Sequence, residues 1–247
     1  MTLRLAHRGD HTTRRGRGAQ IEDTLAALVA AAQRPDCDGV EFDVRLSADG
    51  VPVLHHDVSL ERVHGLPLRV ADTPARRLEE VGVASLAEVL AALPRRSFLD
   101  IEIKVPIGRA GVEVLAAARG PELRRAVVSS FSAAALGQMR HLAPTWPLWL
   151  NADDLSAATI DLASELDCAA ISVDWRAIDP RSMARVQAAG LDVVAWTVTR
   201  RPTYRRLVRL GVIAICAEGP ALIDSSGGAP RRRVTADGIV AADGRVA

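Results

Sequence analysis

The sequence predicts a (β/α)8 TIM barrel in a single domain, on three observations. Short runs rich in Val, Ile and Leu alternate with Ala/Leu-rich stretches of helical spacing, the pattern of parallel βα units. Eight such units in 247 residues match the size of a closed barrel. No Gly-rich phosphate fingerprint follows the first strand, which makes a doubly wound open sheet the weaker alternative.

The elements follow in order. Leu3 to His7 is a strand ending in His7-Arg8-Gly9, and Asp10 to Gln20 an Arg/Gly/Thr-rich loop. Arg14, Arg15 and Arg17 in that loop read as a solvated segment rather than a phosphate-gripping lid. Glu22 to Gln33 is helical. Val40 to Val44 alternates strictly, so Val40, Phe42 and Val44 share one face and Glu41 and Asp43 the other. Ser47 to Gly50 supplies turn chemistry. Val51 to Leu54, taken as an extension of the second strand, then delivers His55, His56 and Asp57. Arg62 to Glu80 reads as loop.

Ser85 to Leu93 is a helix with Ser85 at its N-cap and Glu88 completing a capping box. Ser97 to Val105 is the third strand, with Glu102 and Lys104 on one face. Five further strands, Ala126–Phe131, Pro147–Asn151, Cys168–Asp174, Leu191–Val198 and Val212–Cys216, alternate with helices at Arg109–Arg119, Ala133–His141, Leu155–Leu166, Pro180–Ala189 and Thr203–Leu210. The barrel occupies residues 1–224. Residues 225–247, Gly/Ser/Pro-rich and then basic, read as a tail, either disordered or a small hairpin.

Composition narrows the function. Hydrophobic residues make up 49% of the chain and the net charge is +1, which gives no reason to expect nucleic acid or an acidic membrane as partner. No apolar run approaches the roughly 18 residues of a membrane span, and the N-terminus lacks a signal peptide's apolar segment. Cys37, Cys168 and Cys216 fit neither a disulfide framework nor a zinc site and suit a reducing cytoplasm. Oligomeric state is left open.

In a barrel of this kind the chemistry sits at the C-terminal ends of the strands. His7 and Arg8 fall at the end of the first strand and Glu41 and Asp43 late in the second, with His56 and Asp57 beyond it. Glu102 and Lys104 end the third strand, and Trp196 lies late in the seventh. Three carboxylates on adjacent strands, Glu41, Asp43 and Glu102, repel one another unless a cation sits between them. A hard divalent ion, Mg²⁺ or Ca²⁺, suits oxygen ligands better than zinc does. Two histidines beside it supply a proton acceptor and a proton donor near neutral pH. Arg8 and Lys104 supply charge for an anionic substrate. Lys104 is the one lysine among 31 basic residues, a point charge where every other position accepts a planar fork. Metal, paired histidines and cations together point to phosphoryl chemistry. Each residue taken alone also has a structural reading: a strand-end histidine bonded locally, a solvated edge strand, a core tryptophan. His11, His64 and His141 have no acidic partner in sequence and are read as structural.

These pieces appear in a recognisable order. His7-Arg8-Gly9, Glu22-Asp23-Thr24, Glu41-Phe42-Asp43-Val44, His56-Asp57, Ser85 to Leu90, Ile101-Glu102-Ile103-Lys104, Ser130-Phe131 and Trp196-Thr197-Val198 resemble the glycerophosphodiester phosphodiesterases from about Leu3 to Pro220. The resemblance implies a barrel hydrolysing glycerophosphodiesters, a small-molecule substrate, to glycerol 3-phosphate and an alcohol. It implies His7 and His56 as the acid–base pair and Glu41, Asp43 and Glu102 as metal ligands. It also implies that Arg8 and Lys104 contact the phosphate, with Trp196 in the substrate wall. Choosing His56 over His55 rests on the family's His-Asp pairing.

Three departures stand out. Asp23 replaces the usual Asn, which makes Glu22 an insecure ligand. Thr199 stands where Asn is common, and Ala217-Glu218-Gly219-Pro220 carries a longer acid, without the hydroxyl, than the usual Thr-Asp. The segment between His56 and Ser85 is short, leaving a more open site. The rival readings are a lysophospholipase D-like enzyme and a barrel that binds phosphodiesters without turnover. An unrelated amidohydrolase-type barrel would need a His-x-His pair on the first strand, which is absent.

Overall fold

The computed structural model describes residues 1–11 and 20–223. The Arg14, Arg15 and Arg17 loop and the 225–247 tail lie outside the described residues. The first strand is β1 (Leu3–His7), followed by helix α1 (Leu25–Gln33), β2 (Gly39–Leu46) and β3 (Pro52–Leu54). Two short helices, α2 (Glu61–His64) and α3 (Ala75–Glu80), lead to α4 (Leu86–Ala92). Then come β4 (Phe98–Ile103), α5 (Gly108–Arg119), β5 (Ala126–Ser130), α6 (Ala133–Leu142), β6 (Leu148–Ala152) and α7 (Ala157–Glu165). The chain continues through β7 (Ala170–Asp174), α8 (Pro180–Ala188), β8 (Asp192–Val198), α9 (Arg201–Leu210) and β9 (Ala214–Ala217).

Every strand except β3 lies parallel to its neighbours. The order runs β1-β9-β8-β7-β6-β5-β4-β2, and pairing of β1 with β2 closes the ring. This is the closed eight-stranded parallel barrel that the alternation predicts.

Two local expectations change. Val51 to Leu54 does not prolong the second strand. Val44, Arg45 and Leu46 pair antiparallel with Leu54, Val53 and Pro52, so β3 is the return arm of a hairpin outside the barrel wall. The cause lies in the turn: Gly50 adopts φ +76, and Ser47 exchanges backbone bonds with Gly50 and Val51. A chain reversed that tightly can pair with itself only antiparallel. The 62–80 segment is not all loop either. The helices α2 and α3, four and six residues long, are too short to show periodicity. They sit over their own apolar cluster of Val53, Leu60, Val70, Leu78 and Val83.

The helix expected from Glu22 begins at Leu25, because Asp23 has φ +55 and Thr24 is the N-cap, accepting from the Ala27 N–H. Helix α4 carries the expected capping box between Ser85 and Glu88, a device whose cap is typically worth about 1 kcal/mol.

Strand alternation divides the core. Val40, Phe42, Val44, Ile101 and Ile103 face outward into the layer shared with the helices. Leu3, Leu5, Phe98, Val127, Trp149, Val194 and Ala214 belong to a second apolar cluster, which fills the lower barrel interior. The inward positions one step further along the strands turn polar, and the functional residues begin there.

Candidate active site

The site is built on parallel register. His7 pairs with Glu41, Glu41 with Asp100, and Asp43 with Glu102. Period-2 geometry sends all of these side chains into the barrel. Beyond β1 the chain turns at once: Arg8 has φ +54 and Gly9 φ +85. A Cβ on Gly9 would lie 2.6 Å from the Ala27 carbonyl carbon, so only glycine lets this turn seat against α1. The turn aims the Arg8 N–H at Glu41 Oε2, 3.0 Å away.

Glu41, Asp43 and Glu102 converge, each offering a ligand oxygen within 4.8 Å of the others. Residue exposure is 4% for Glu41 and 0% for Asp43, so the repulsion is little screened by water. Burial first, then Asp43 and other acids, pushes the Glu41 carboxyl well above its ordinary range. Burial and Asp43 likewise push Glu102 up to about 7, against the partial relief of Lys104. Asp43 differs: burial works to raise it, yet Lys104 and Arg8 outweigh burial and hold it at about 2. Lys104 Nζ lies 2.8 Å from Asp43 Oδ1 and also contacts Glu102, and Arg8 Nε lies 3.1 Å from Asp43 Oδ2. Glu41 Oε1 is buried and accepts no hydrogen bond. An orphaned carboxylate oxygen facing two more carboxylates is a costly arrangement unless a cation completes it. The all-oxygen donor set fits a hard divalent ion.

Below them Asp100 closes the floor. It accepts from Ser129 at 2.6 Å, and burial pushes it up to about 7.

The two histidines stand at the edge of this acidic centre, and each is gripped at Nδ1 by a carboxylate. His7 Nδ1 is 2.5 Å from Glu218 Oε1, and its Nε2 points inward, 3.8 Å from Glu41 Oε2 and 3.5 Å from Thr197 Oγ1. His56 Nδ1 is 2.6 Å from Asp57 Oδ1, and Arg45 donates two bonds to the His56 carbonyl. Asp57 in turn accepts from Arg62 Nε at 2.5 Å, and Arg62 reaches Glu22 at 2.5 and 3.1 Å. Glu22 also accepts from Arg8 at 2.8 Å. An unbroken chain of ion pairs thus runs along the rim from His56 to Arg8. Carboxylates in it behave oppositely to those inside: burial would raise Glu22, but Arg62 and Arg8 hold it down at about 2. Asp57 and Glu218 are likewise held well below the usual range against burial, by Arg62 and His56 and by His11 and His7 respectively.

His55 is 3% exposed and its Nε2 meets the Ser59 carbonyl, whereas His56 lines the cleft. Trp196 forms the wall with Phe131, ring centroids 5.6 Å apart and edge to face. A register shift in β8 between Ala195 and Val198 accompanies the facing of both Trp196 and Thr197 into one cleft. That cleft has a cavity volume of about 150 Å³ and opens to solvent.

All eight residues singled out from the sequence belong to this one place. Four that matter geometrically were given no site role from the sequence, although Glu218, Thr197 and Phe131 lie in the segments compared with the family: Glu218, Arg62, Thr197 and Phe131. Glu218 lies at a strand end, the position that carries chemistry in this fold, and its acidity there is the signal that finds it. Glu22, paired with Arg8 and Arg62, faces away from a ligand role. His11, expected to lack an acidic partner, lies 3.7 Å from Glu218, because the last strand returns beside the first and brings Glu218 back to it. His141 is exposed.

Fold and site together define a parallel (β/α)8 barrel with a hydrolytic type of centre, acids and histidines converging at the C-terminal ends of its strands. The glycerophosphoryl diester phosphodiesterase family model matches residues 7–222, and the chain belongs to that family. Among similar proteins is a glycerophosphodiester phosphodiesterase of Caldanaerobacter subterraneus, 25% identical and covering 89% of this chain and 95% of its own. A solved phosphodiesterase structure from Oleispira antarctica, in complex with the product sn-glycerol-3-phosphate, superposes with TM-score 0.76 at 28% identity, covering 87% and 92%. A glycerophosphodiester phosphodiesterase structure from Agrobacterium tumefaciens gives 0.70 at 25%, covering 90% and 98%. Among the described residues, no helix is long and apolar enough to cross a membrane.

Proposed function

We propose that this chain hydrolyses glycerophosphodiesters to glycerol 3-phosphate and an alcohol, with His7 and His56 exchanging protons and Glu41, Asp43 and Glu102 holding a divalent cation, Mg²⁺ or Ca²⁺. The observation that carries the reading is the pairing of three converging carboxylates with two histidines, each tied at Nδ1 to an acid. A carboxylate at Nδ1 favours the tautomer with hydrogen there and leaves Nε2 free to take a proton. The product-bound relative supports the substrate class.

The bound cation would supply Lewis-acid charge at the phosphate and glycerol oxygens. The other roles fall to side chains. Arg8 and Lys104, which now neutralise Asp43, provide the positive charge for the phosphate. Trp196 and Phe131 exclude water from one side of the cleft. One histidine takes the proton of the glycerol 2-hydroxyl as that oxygen attacks phosphorus, and the other protonates the departing alcohol. Water then opens the cyclic phosphate with the histidine roles reversed. Three unpaired thiols support a reducing, cytoplasmic location.

The test is a panel of glycerophosphodiesters and one lysophospholipid, with added Mg²⁺ or Ca²⁺ or with chelator, and with released glycerol phosphate measured. Cation-dependent release from the diesters is expected, together with near-complete loss for a substrate lacking only the 2-hydroxyl. Full turnover in metal-stripped protein removes the cation from the mechanism. Rapid cleavage of the 2-deoxy compound replaces hydroxyl attack with direct attack by water.

A further inference from the structure

Beside the all-oxygen centre lies a second cluster of different chemistry. His7, His11 and Glu218 each offer one ligand atom, and these lie within 4.8 Å of one another. Glu218 Oε1 sits between two imidazoles, 2.5 Å from His7 Nδ1 and 3.7 Å from His11 Nε2. The His11 side chain is only 6% exposed, and its Nε2 is buried with no hydrogen-bond partner. At 3.7 Å from Glu218 the buried Nε2 is near enough for charge to act but too far for a full hydrogen bond, and is left under-satisfied. The same gap is what a metal ion bridges.

Two imidazole nitrogens and one carboxylate oxygen form the donor set of a borderline transition ion, not of the hard ions that suit three carboxylates. Tetrahedral zinc with bonds of about 2.0–2.2 Å sets its ligand atoms roughly 3.3 Å apart. The two separations measured around Glu218, 2.5 and 3.7 Å, lie on either side of that spacing, so small side-chain adjustments complete the site. We propose that His7, His11 and Glu218 bind a transition-metal ion of the Zn²⁺ class, leaving its fourth position open, and that this ion switches the barrel off.

The inhibitory half rests on the acid–base role proposed for His7. With Glu218 accepting from Nδ1–H, Nε2 keeps its lone pair and can take a proton. With a metal ion on Nδ1, the neutral ring's single N–H proton is displaced from Nδ1 and is carried by solvent to Nε2, where it occupies the lone pair that would otherwise accept the substrate's proton. An imidazole in that form can no longer act as a base. The same nitrogen therefore serves an acid in the working enzyme and a metal in the inhibited one.

The experiment titrates Zn²⁺ into the full chain in excess Mg²⁺ by calorimetry, and repeats the titration with Co²⁺ to read the absorption of a low-coordinate ion. One ion per chain is expected. His11→Ala should weaken binding by about 100-fold or more, beyond the loss that follows removal of an outer-shell partner; His11→Gln keeps the bulk while removing the ligand. Glu41→Gln should leave this binding in place. Zn²⁺ inhibition, scored against each variant's own rate, should vanish in both His11 variants. Zn²⁺ binding that survives both His11 variants, or that disappears in Glu41→Gln, overturns the site. Binding that depends on His11 but leaves the rate unchanged keeps the site and overturns the role given to His7.

Discussion

The inside of the barrel mouth and its rim handle carboxylates in opposite ways. Inside, Glu41, Asp100 and Glu102 face one another across adjacent strands, and burial with like charges makes ionisation harder. On the rim, Glu22, Asp57 and Glu218 are each matched by arginine or histidine, which outweighs burial and makes ionisation easier. Asp43 lies between the two regimes, deep inside yet held by Lys104 and Arg8. Matched charge holds side chains in place, and unmatched charge is left where Glu41, Asp43 and Glu102 could together hold a cation. The contrast sorts the acids by their charge environment, without reference to any relative.

The largest expected effect tests the rim. His7→Ala and His56→Ala should each lower turnover by roughly 100- to 10,000-fold, the range of general acid–base groups. His55→Ala, whose ring is tied to Ser59 and faces away from the cleft, should spare most turnover and cost stability instead. Steady-state rates and melting curves on the three variants check this. Greater catalytic damage from His55 would place the wrong histidine on the rim.

The interior is tested by Glu41→Gln, which should weaken Mg²⁺ or Ca²⁺ binding and lower turnover while making the metal-free protein more stable. Removing a buried, unmatched charge should gain about 1 kcal/mol, or roughly 2–4 °C in melting temperature for a domain of this size. A lower melting temperature in chelator would mean that the interior acids are matched after all, and the comparison would fail.

Lys104 tests the residue shared by both regimes. Lys104→Arg keeps the charge but broadens the head, and arginine is tolerated at every other basic position. Turnover should fall roughly 10-fold or more, about 1.4 kcal/mol of transition-state stabilisation. Unchanged rates would make Lys104 a bystander.

The smallest effect concerns the rim pairs themselves. Glu22 is held at about 2, below its ordinary value of 4.5, so in that window the unfolded chain binds more protons than the folded one. Its contribution to stability is full above about 4.5 and is lost as pH falls toward about 2. Arg62→Ala should remove much of that contribution, and its penalty in melting temperature should shrink as pH drops through this window. A penalty constant with pH would assign Arg62 to packing rather than to charge.

Much of this was legible in the sequence because it is local. Alternation along Val40 to Val44 put Glu41 and Asp43 on one face and their apolar neighbours on the other, and the barrel uses both faces as the pattern demands. The Ser85–Glu88 capping box is likewise a property of four successive residues. The lone lysine among arginines distinguishes Lys104 by composition alone. Where the signal was short or depended on a turn, the sequence read less well. Thus β3 appeared as an extension, and α2 and α3 as loop.

By itself, then, the sequence determined the number and order of βα units, the face on which each acid lies and the family pattern, since each follows from spacing along the chain. Only the tertiary structure decided what those faces meet. Closure of β1 against β2 set His7 across from Glu41. Return of the last strand brought Glu218 to both His7 and His11. The hairpin at β3 buried His55 and turned His56 toward the cleft. Residues hundreds of positions apart meet only because a ring of strands must close, and no local periodicity encodes which side chains closure places in contact.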